Sequence, residues 1–213
     1  WSPSISKGPE TVIHELTTLE IKVFSNAKVY AALQERLPAA GGTLLGAFAT
    51  DIGDLSRVIL LREFADANAA ADARQRLLAD ADPLGCAEWL VSLKSESFQL
   101  FPFLSTPAAG SYGKWYELRT YSLRHGKLAE TIDAWKDALP ARHAMSPCLG
   151  AYAALDGTQP RFLNIWAYDS VDARAKIRGD AVAQGVWPPK GGPANLTAMQ
   201  SNLCVPLAFS PLK

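Results

Sequence analysis

Sulfur and imidazole are scarce in this chain: three cysteines, two methionines and three histidines stand among 213 residues. Cys86, Cys148 and Cys204 lie far apart and make an odd set, which argues against a disulfide framework and for a reducing, cytoplasmic setting. No CxxC or HExxH spacing occurs, so no metal site is expected. Charge of one sign is lacking too. Lys+Arg and Asp+Glu number 21 each, and neither a basic stripe for nucleic acid nor a polybasic run for an anionic membrane is present. The apolar stretches fall far short of the roughly 20 residues a membrane helix needs. Residues 1–11 show no leader pattern and read as a loose tail rich in Ser, Pro and Gly.

What the chain does contain is a repeat. Leu45–Asp66, "LGAFATDIGDLSRVILLREFAD", aligns without a gap on Leu149–Ser170, "LGAYAALDGTQPRFLNIWAYDS". Upstream, "HEL" at 14–16 matches "YEL" at 116–118, and "LP" at 37–38 matches "LP" at 139–140. Residues 12–104 and 114–213 therefore read as two copies of one unit, joined by the small-residue linker 105–113, "STPAAGSYG".

Each copy has the same pattern. Alternating Val12–Val23 is a strand, and Asn26–Leu37 has helical apolar spacing. Thr43–Ala49 and Arg57–Phe64 are apolar runs around a turn, Ala67–Leu78 is an alanine-rich helix, and Val91–Leu100 is a last strand. The second copy predicts strand Trp115–Leu123, helix Lys127–Leu139, strands Leu149–Leu155 and Arg161–Tyr168, helix Val171–Asp180 and strand Asn202–Phe209. The order β-α-β-β-α-β is the ferredoxin-like unit. Its sheet carries helices on one face only, so two tandem copies cover each other, sheet to sheet, in an α+β barrel. That accounts for strands such as "RVILLREF" and "RFLNIWAY", which read as nearly continuous apolar runs.

Three stretches carry a family resemblance: "YELRTYSLRHGKLAE" at 116–130, "LNIWAYDSVDARAKIR" at 163–178 and the ending "PLAFSPL" at 206–212. They resemble the NIPSNAP family, whose fold is the dimeric α+β barrel. The resemblance implies a superfamily that includes cofactor-independent monooxygenases, haem-binding and haem-degrading enzymes, isomerases and polyketide cyclases. One departure stands out. Where family members often have "HLWAY", this chain has "NIWAY", with Asn164 in place of histidine.

The candidate site lies in the second copy. Glu117, Arg119 and Tyr121 share one strand face and are expected at the barrel interior or its mouth, as a satisfied ion pair or as the polar patch of a ligand site. In the first copy Arg119 and Tyr121 align with Thr17 and Leu19, which points to a site in the second copy alone. Asn164, Trp166, Trp115, Tyr116 and Tyr152 are expected to line an apolar pocket. His143, after the helix, is the candidate general base or haem ligand. Trp187 anchors the irregular "VWPPKGGPANL" at 186–196, a packed surface loop or a lid. "VDARAKIR" reads as an ordinary solvated helix.

Two functions follow. One is a small cofactor-independent enzyme acting on an apolar carbonyl-bearing or aromatic small molecule, with Arg119 stabilising negative charge and Glu117, Tyr121 or His143 moving a proton. The other is a non-catalytic binding or interaction module. Haem binding is a third reading, and a homodimer of chains is expected.

Overall fold

The computed structural model describes residues 12–213, so the expected tail lies outside the described residues. The first half comprises β1 (Ile13–Ile21), α1 (Asn26–Arg36), β2 (Thr43–Ile52), β3 (Arg57–Phe64), α2 (Ala67–Ala79) and β4 (Leu90–Leu100). The second comprises β5 (Trp115–Leu123), α3 (Leu128–His143), β6 (Cys148–Ala154), β7 (Arg161–Tyr168), α4 (Val171–Ala183), the short α5 (Gly192–Asn195) and β8 (Leu196–Pro206). None of these helices is long and apolar enough to cross a membrane.

All eight strands pair antiparallel in a closed barrel, β1-β3-β2-β8-β5-β7-β6-β4. The seams between halves are β2 with β8 and β4 with β6. Closure leaves no free edge and buries both faces of much of β1, β3, β5, β6 and β7, while β4 and the first half of β8 keep an exposed stretch. β7 shows this fully, with all eight residues buried. Side chains of one parity fill the barrel, where Leu16, Phe48, Ile59, Phe98, Tyr116, Leu118, Tyr152 and Leu163 meet. Side chains of the other parity pack under the outer helices: Leu19 under Val29 and Leu33 in the first half, Phe162 and Trp166 under Trp135 in the second. The ending 206–212 closes over β2. Ser210 Oγ accepts from Ala47 N at 2.9 Å, and Leu212 is fully buried in the barrel core.

The repeat extends to detail. Asp66 and Ser170, equivalent in sequence, cap α2 and α4 by accepting from Ala69 N at 2.8 Å and Ala173 N at 3.0 Å. Three expectations need correction. Helix α3 runs on through Pro140 to His143. Pro140 leaves the Lys136 carbonyl without its helical N–H donor, yet the helix continues for three further residues. Strand β8 begins at Leu196 instead of Asn202 because it pairs with β5 along its whole length. Its residues 197–201 are exposed and, apart from Met199, polar or small, so no apolar run marked them. Part of the irregular 186–196 loop is the helical turn α5.

Phe24 and Gly126 occupy equivalent turns, and both are left-handed, with φ 65 and 77. Phe24 is also 99% exposed, so its ring gains nothing from packing. A side chain in that conformation costs about 1 kcal/mol relative to glycine. Phe24→Gly is therefore expected to stabilise the protein by about that amount in urea unfolding. An unchanged or lower midpoint would refute it.

Candidate functional site

Parity on β5 decides the site. Tyr116 and Leu118 point into the barrel, while Glu117, Arg119 and Tyr121 point outward, beneath α3 and α4. Their expected place in the barrel interior or at its mouth is thus corrected: they lie in the layer between the barrel and the helices. β7 presents Trp166 opposite Glu117, Asn164 opposite Arg119 and Phe162 opposite Tyr121.

Glu117 is the centre of a charged cluster and is wholly buried. Its Oε1 accepts from Arg119 Nη1 at 2.5 Å, Arg174 Nη2 at 2.6 Å and Ser201 Oγ at 2.7 Å. Arg178 Nη1 lies 3.5 Å from Oε2. Burial pushes the carboxyl up, but the Arg174 hydrogen bond, the Arg119 charge, the Ser201 hydrogen bond and the Arg178 charge together hold it down at about 2. Glu117 is therefore ionised and a poor general base, although its buried Oε2 takes no hydrogen bond among the described residues. Arg119 also gives Nε to Tyr121 Oη at 2.5 Å, and its Nη2 makes no hydrogen bond among the described residues. Burial works against the Arg119 charge, yet Tyr121 and Glu117 raise its pKa further.

The first half holds a counterpart, which corrects the inference that the acid–guanidinium pair is confined to the second. Glu15, equally buried, takes Arg62 at 2.6 Å and Arg74 at 2.9 Å. Arg74 also reaches Asp156 at 3.5 Å. The cluster recurs with its arginines supplied from β3 and α2, not from β1.

The halves differ in what surrounds the cluster. In the second, a cavity of about 250 Å³ opens between β5, the start of α3, the end of α4 and the 187–196 loop. Arg119, Tyr121 and Arg178 form its polar end, and Trp135, Trp187, Val182, Pro188, Pro189, Pro193, Leu196 and Met199 give an apolar wall. At the positions of Tyr121, Thr131 and Trp135 the first half has Leu19, Val29 and Leu33, each fully buried. These side chains fill the equivalent place, and a cavity of that half, about 170 Å³, lies elsewhere, between the ends of α1 and α2 and residues 84–85.

The other expected residues are dispersed. Asn164 is satisfied within the protein, donating to Arg119 O at 3.1 Å and accepting from Trp166 Nε1 at 2.7 Å. Trp166 lies beneath the cavity, with Trp187 at 5.6 Å and the Arg142 guanidinium at 4.4 Å. Trp187 also meets Trp135 edge to face at 4.8 Å and so fastens the loop. Trp115 packs at the edge of the same layer. Tyr116 and Tyr152 are on the opposite face, inside the barrel, beside Phe48 and His14. His143 ends α3, about 12 Å along the axis from Trp135 at 1.5 Å per residue. It is exposed, and its Nδ1 accepts from Cys148 N at 3.2 Å.

Sequence reasoning missed Arg174 and Arg178. Their i, i+4 spacing puts both on the face of α4 that meets β5, where Glu117 holds them. The signal was available in Arg74, which aligns with Arg178. It also missed Arg142, a buried guanidinium that donates to Tyr168 Oη at 3.1 Å and Ser146 Oγ at 2.7 Å.

The NIPSNAP family profile matches residues 14–95 and again 116–211, one match in each half. The chain belongs to the NIPSNAP family. It is 26% identical to the NipSnap homolog of Dictyostelium discoideum over 215 residues, covering 97% of this chain and 93% of that one. It is 28% identical to human NipSnap homolog 2 over 129 residues, which is 60% of this chain but 45% of the human one. Two solved structures share the fold of this NIPSNAP chain. A proposed monooxygenase of Lactobacillus acidophilus has a TM-score of 0.68 at 13% identity, over 92% of this chain and 94% of that one. An anthrone oxidase-like protein has a TM-score of 0.62 at 9% identity, over 94% of each.

Proposed function

We propose that the chain is a small cofactor-independent enzyme that takes an apolar, carbonyl-bearing or aromatic small molecule into the cavity of its second half. The observation that carries this reading is the contrast between the halves. One layer is filled by Leu19, Val29 and Leu33, while its equivalent opens into a cavity with Arg119 and Tyr121 at its end. An apolar pocket with few convergent polar groups is the usual form of a ligand site. The names of the two fold relatives, a proposed monooxygenase and an anthrone oxidase-like protein, agree in kind with such a substrate.

The chemistry on offer is electrophilic. Arg119 Nη2 and the Tyr121 hydroxyl are the groups able to face a carbonyl oxygen and stabilise charge as it develops there. Glu117 acts as a positioning residue that fixes Arg119 on one edge and leaves the other free. Among the described residues the walls contain no carboxylate, histidine or lysine, so assistance to an acidic substrate fits better than strong-base catalysis. The same feature favours a second reading, a binding protein without turnover. His143 lends a haem reading no support, because one ring nitrogen serves a backbone N–H and the residue lies off the cavity wall.

Arg119→Met tests the reading. Glu117 keeps Arg174, Arg178 and Ser201, so the fold is expected to survive with a loss of about 1–2 kcal/mol. Native mass spectrometry and tryptophan fluorescence against a panel of aromatic ketones and phenols should show binding by the parent protein. Affinity should fall at least tenfold in the variant. Equal binding by the two proteins would refute the assignment.

A further inference from the structure

We propose that the ligand of this cavity is an aromatic monocarboxylate, bound as the anion by Arg119 and Arg178. The proposal rests on the cavity being a ligand site and adds the charge of what it takes.

The argument is one of charge balance in two equivalent places. Around the first-half cluster, Glu15 faces Arg62 and Arg74, and the partly exposed Asp156, reaching across from the second half, meets Arg74 at 3.5 Å, so two carboxylates stand against two guanidiniums. In the second half, Glu117 faces Arg119, Arg174 and Arg178, one carboxylate to three. Two positive charges are left over. The fold does not demand them, since the equivalent layer around Glu15 reaches balance through Asp156. They also stand where the cavity is: Arg119 and Arg178 both line it, from β5 and α4. Like charges held together in a partly dehydrated layer are costly unless an anion joins them. The single Glu117 carboxylate balances one of the three: its Oε1 accepts three donors, while its buried Oε2 takes no hydrogen bond among the described residues and meets Arg178 Nη1 only at 3.5 Å.

The hydrogen-bond geometry points the same way. Arg119 has spent Nη1 on Glu117 and Nε on Tyr121, and retains Nη2. Arg178 contacts Glu117 only at 3.5 Å, so its guanidinium has further donors to give. Two guanidiniums on facing elements suit the two oxygens of a carboxylate. The rest of the wall selects the body. Trp135 and Trp187 offer ring surfaces set edge to face, and Pro188, Pro189 and Pro193 offer flat apolar faces. An ionised ligand also removes the need for a base in the wall.

The test compares 1-naphthoate with 1-naphthamide, the same body without the charge, by isothermal titration calorimetry on the whole chain at low salt. The acid is expected to bind at least tenfold more tightly than the amide. Arg178→Gln should weaken the acid about tenfold and the amide by no more than about threefold, while circular dichroism confirms that the variant is folded. If acid and amide bind equally, the anion proposal is overturned and the cavity reading stands. If Arg178→Gln weakens both equally, the two-arginine contact is overturned. If neither probe binds the folded parent protein, the anion proposal is overturned, and the cavity reading then stands or falls on the ketone and phenol panel.

Discussion

Replacing Glu117 by glutamine is expected to destabilise the protein by about 3–5 kcal/mol at neutral pH, the cost of stripping the counter-charge from a buried ion cluster. Three guanidiniums would remain, and the side chains of Arg119 and Arg174 are only 10% and 22% exposed. A neutral amide accepts hydrogen bonds but does not offset charge. The pH dependence has a definite sign. The Glu117 carboxyl sits at about 2 in the fold against an ordinary 4.5. A depressed carboxyl contributes stability that is fully present above the unfolded value and is lost as pH falls through the folded one. The contribution, roughly 3 kcal/mol, should fade between about pH 4.5 and pH 2. Urea unfolding at pH 7 and at pH 3 checks this. The gap between parent and variant should be wide at pH 7 and narrower at pH 3. A gap under about 1 kcal/mol at pH 7 would show that the cluster is not structural.

That cluster also shows where sequence reading stops. The two halves, the β-α-β-β-α-β order and the barrel were legible, because alternation, helical spacing and a gapless internal match all agree. Which face of β5 looks inward was not. A closed barrel under helices buries both faces, so the polar/apolar alternation that would label inside and outside is erased. Glu117 and Arg119 lie among apolar residues either way. The reading of "VDARAKIR" failed for a related reason. Arginine on a helix usually means solvent, and only the partner strand shows that Arg174 and Arg178 turn toward a carboxylate. His143 was judged as a loop residue, yet it belongs to the last turn of α3, where its ring caps the turn into β6. The cavity itself arises from a long-range difference. It needs the 187–196 loop held against Trp135 by Trp187, a contact no local pattern encodes.

The recurring "LGAF" and "LGAY" lead to a second large effect, at Gly150. Both glycines sit at a bulge, where the pairing of β2 with β3 and of β6 with β7 slips by one residue. The aromatic side chain two residues on folds its ring back over the glycine. A Cβ on Gly150 would meet the Tyr152 ring at 2.3 Å, and one on Gly46 would meet the Phe48 ring at 2.5 Å. Neither ring can retreat, since Tyr152 and Phe48 are fully buried in the barrel core. Gly150 bears a further constraint, a φ of 152 that L side chains rarely adopt. Gly150→Ala therefore combines a core clash with backbone strain and is expected to cost about 4 kcal/mol. Gly46→Ala meets the clash alone and should cost about 2–3 kcal/mol. Denaturant unfolding of the two variants gives the comparison. The order matters more than either value. If Gly46→Ala proves the more damaging, the left-handed constraint at Gly150 carries no weight. If both are tolerated within about 1 kcal/mol, the ring-over-glycine packing is not what holds the bulges.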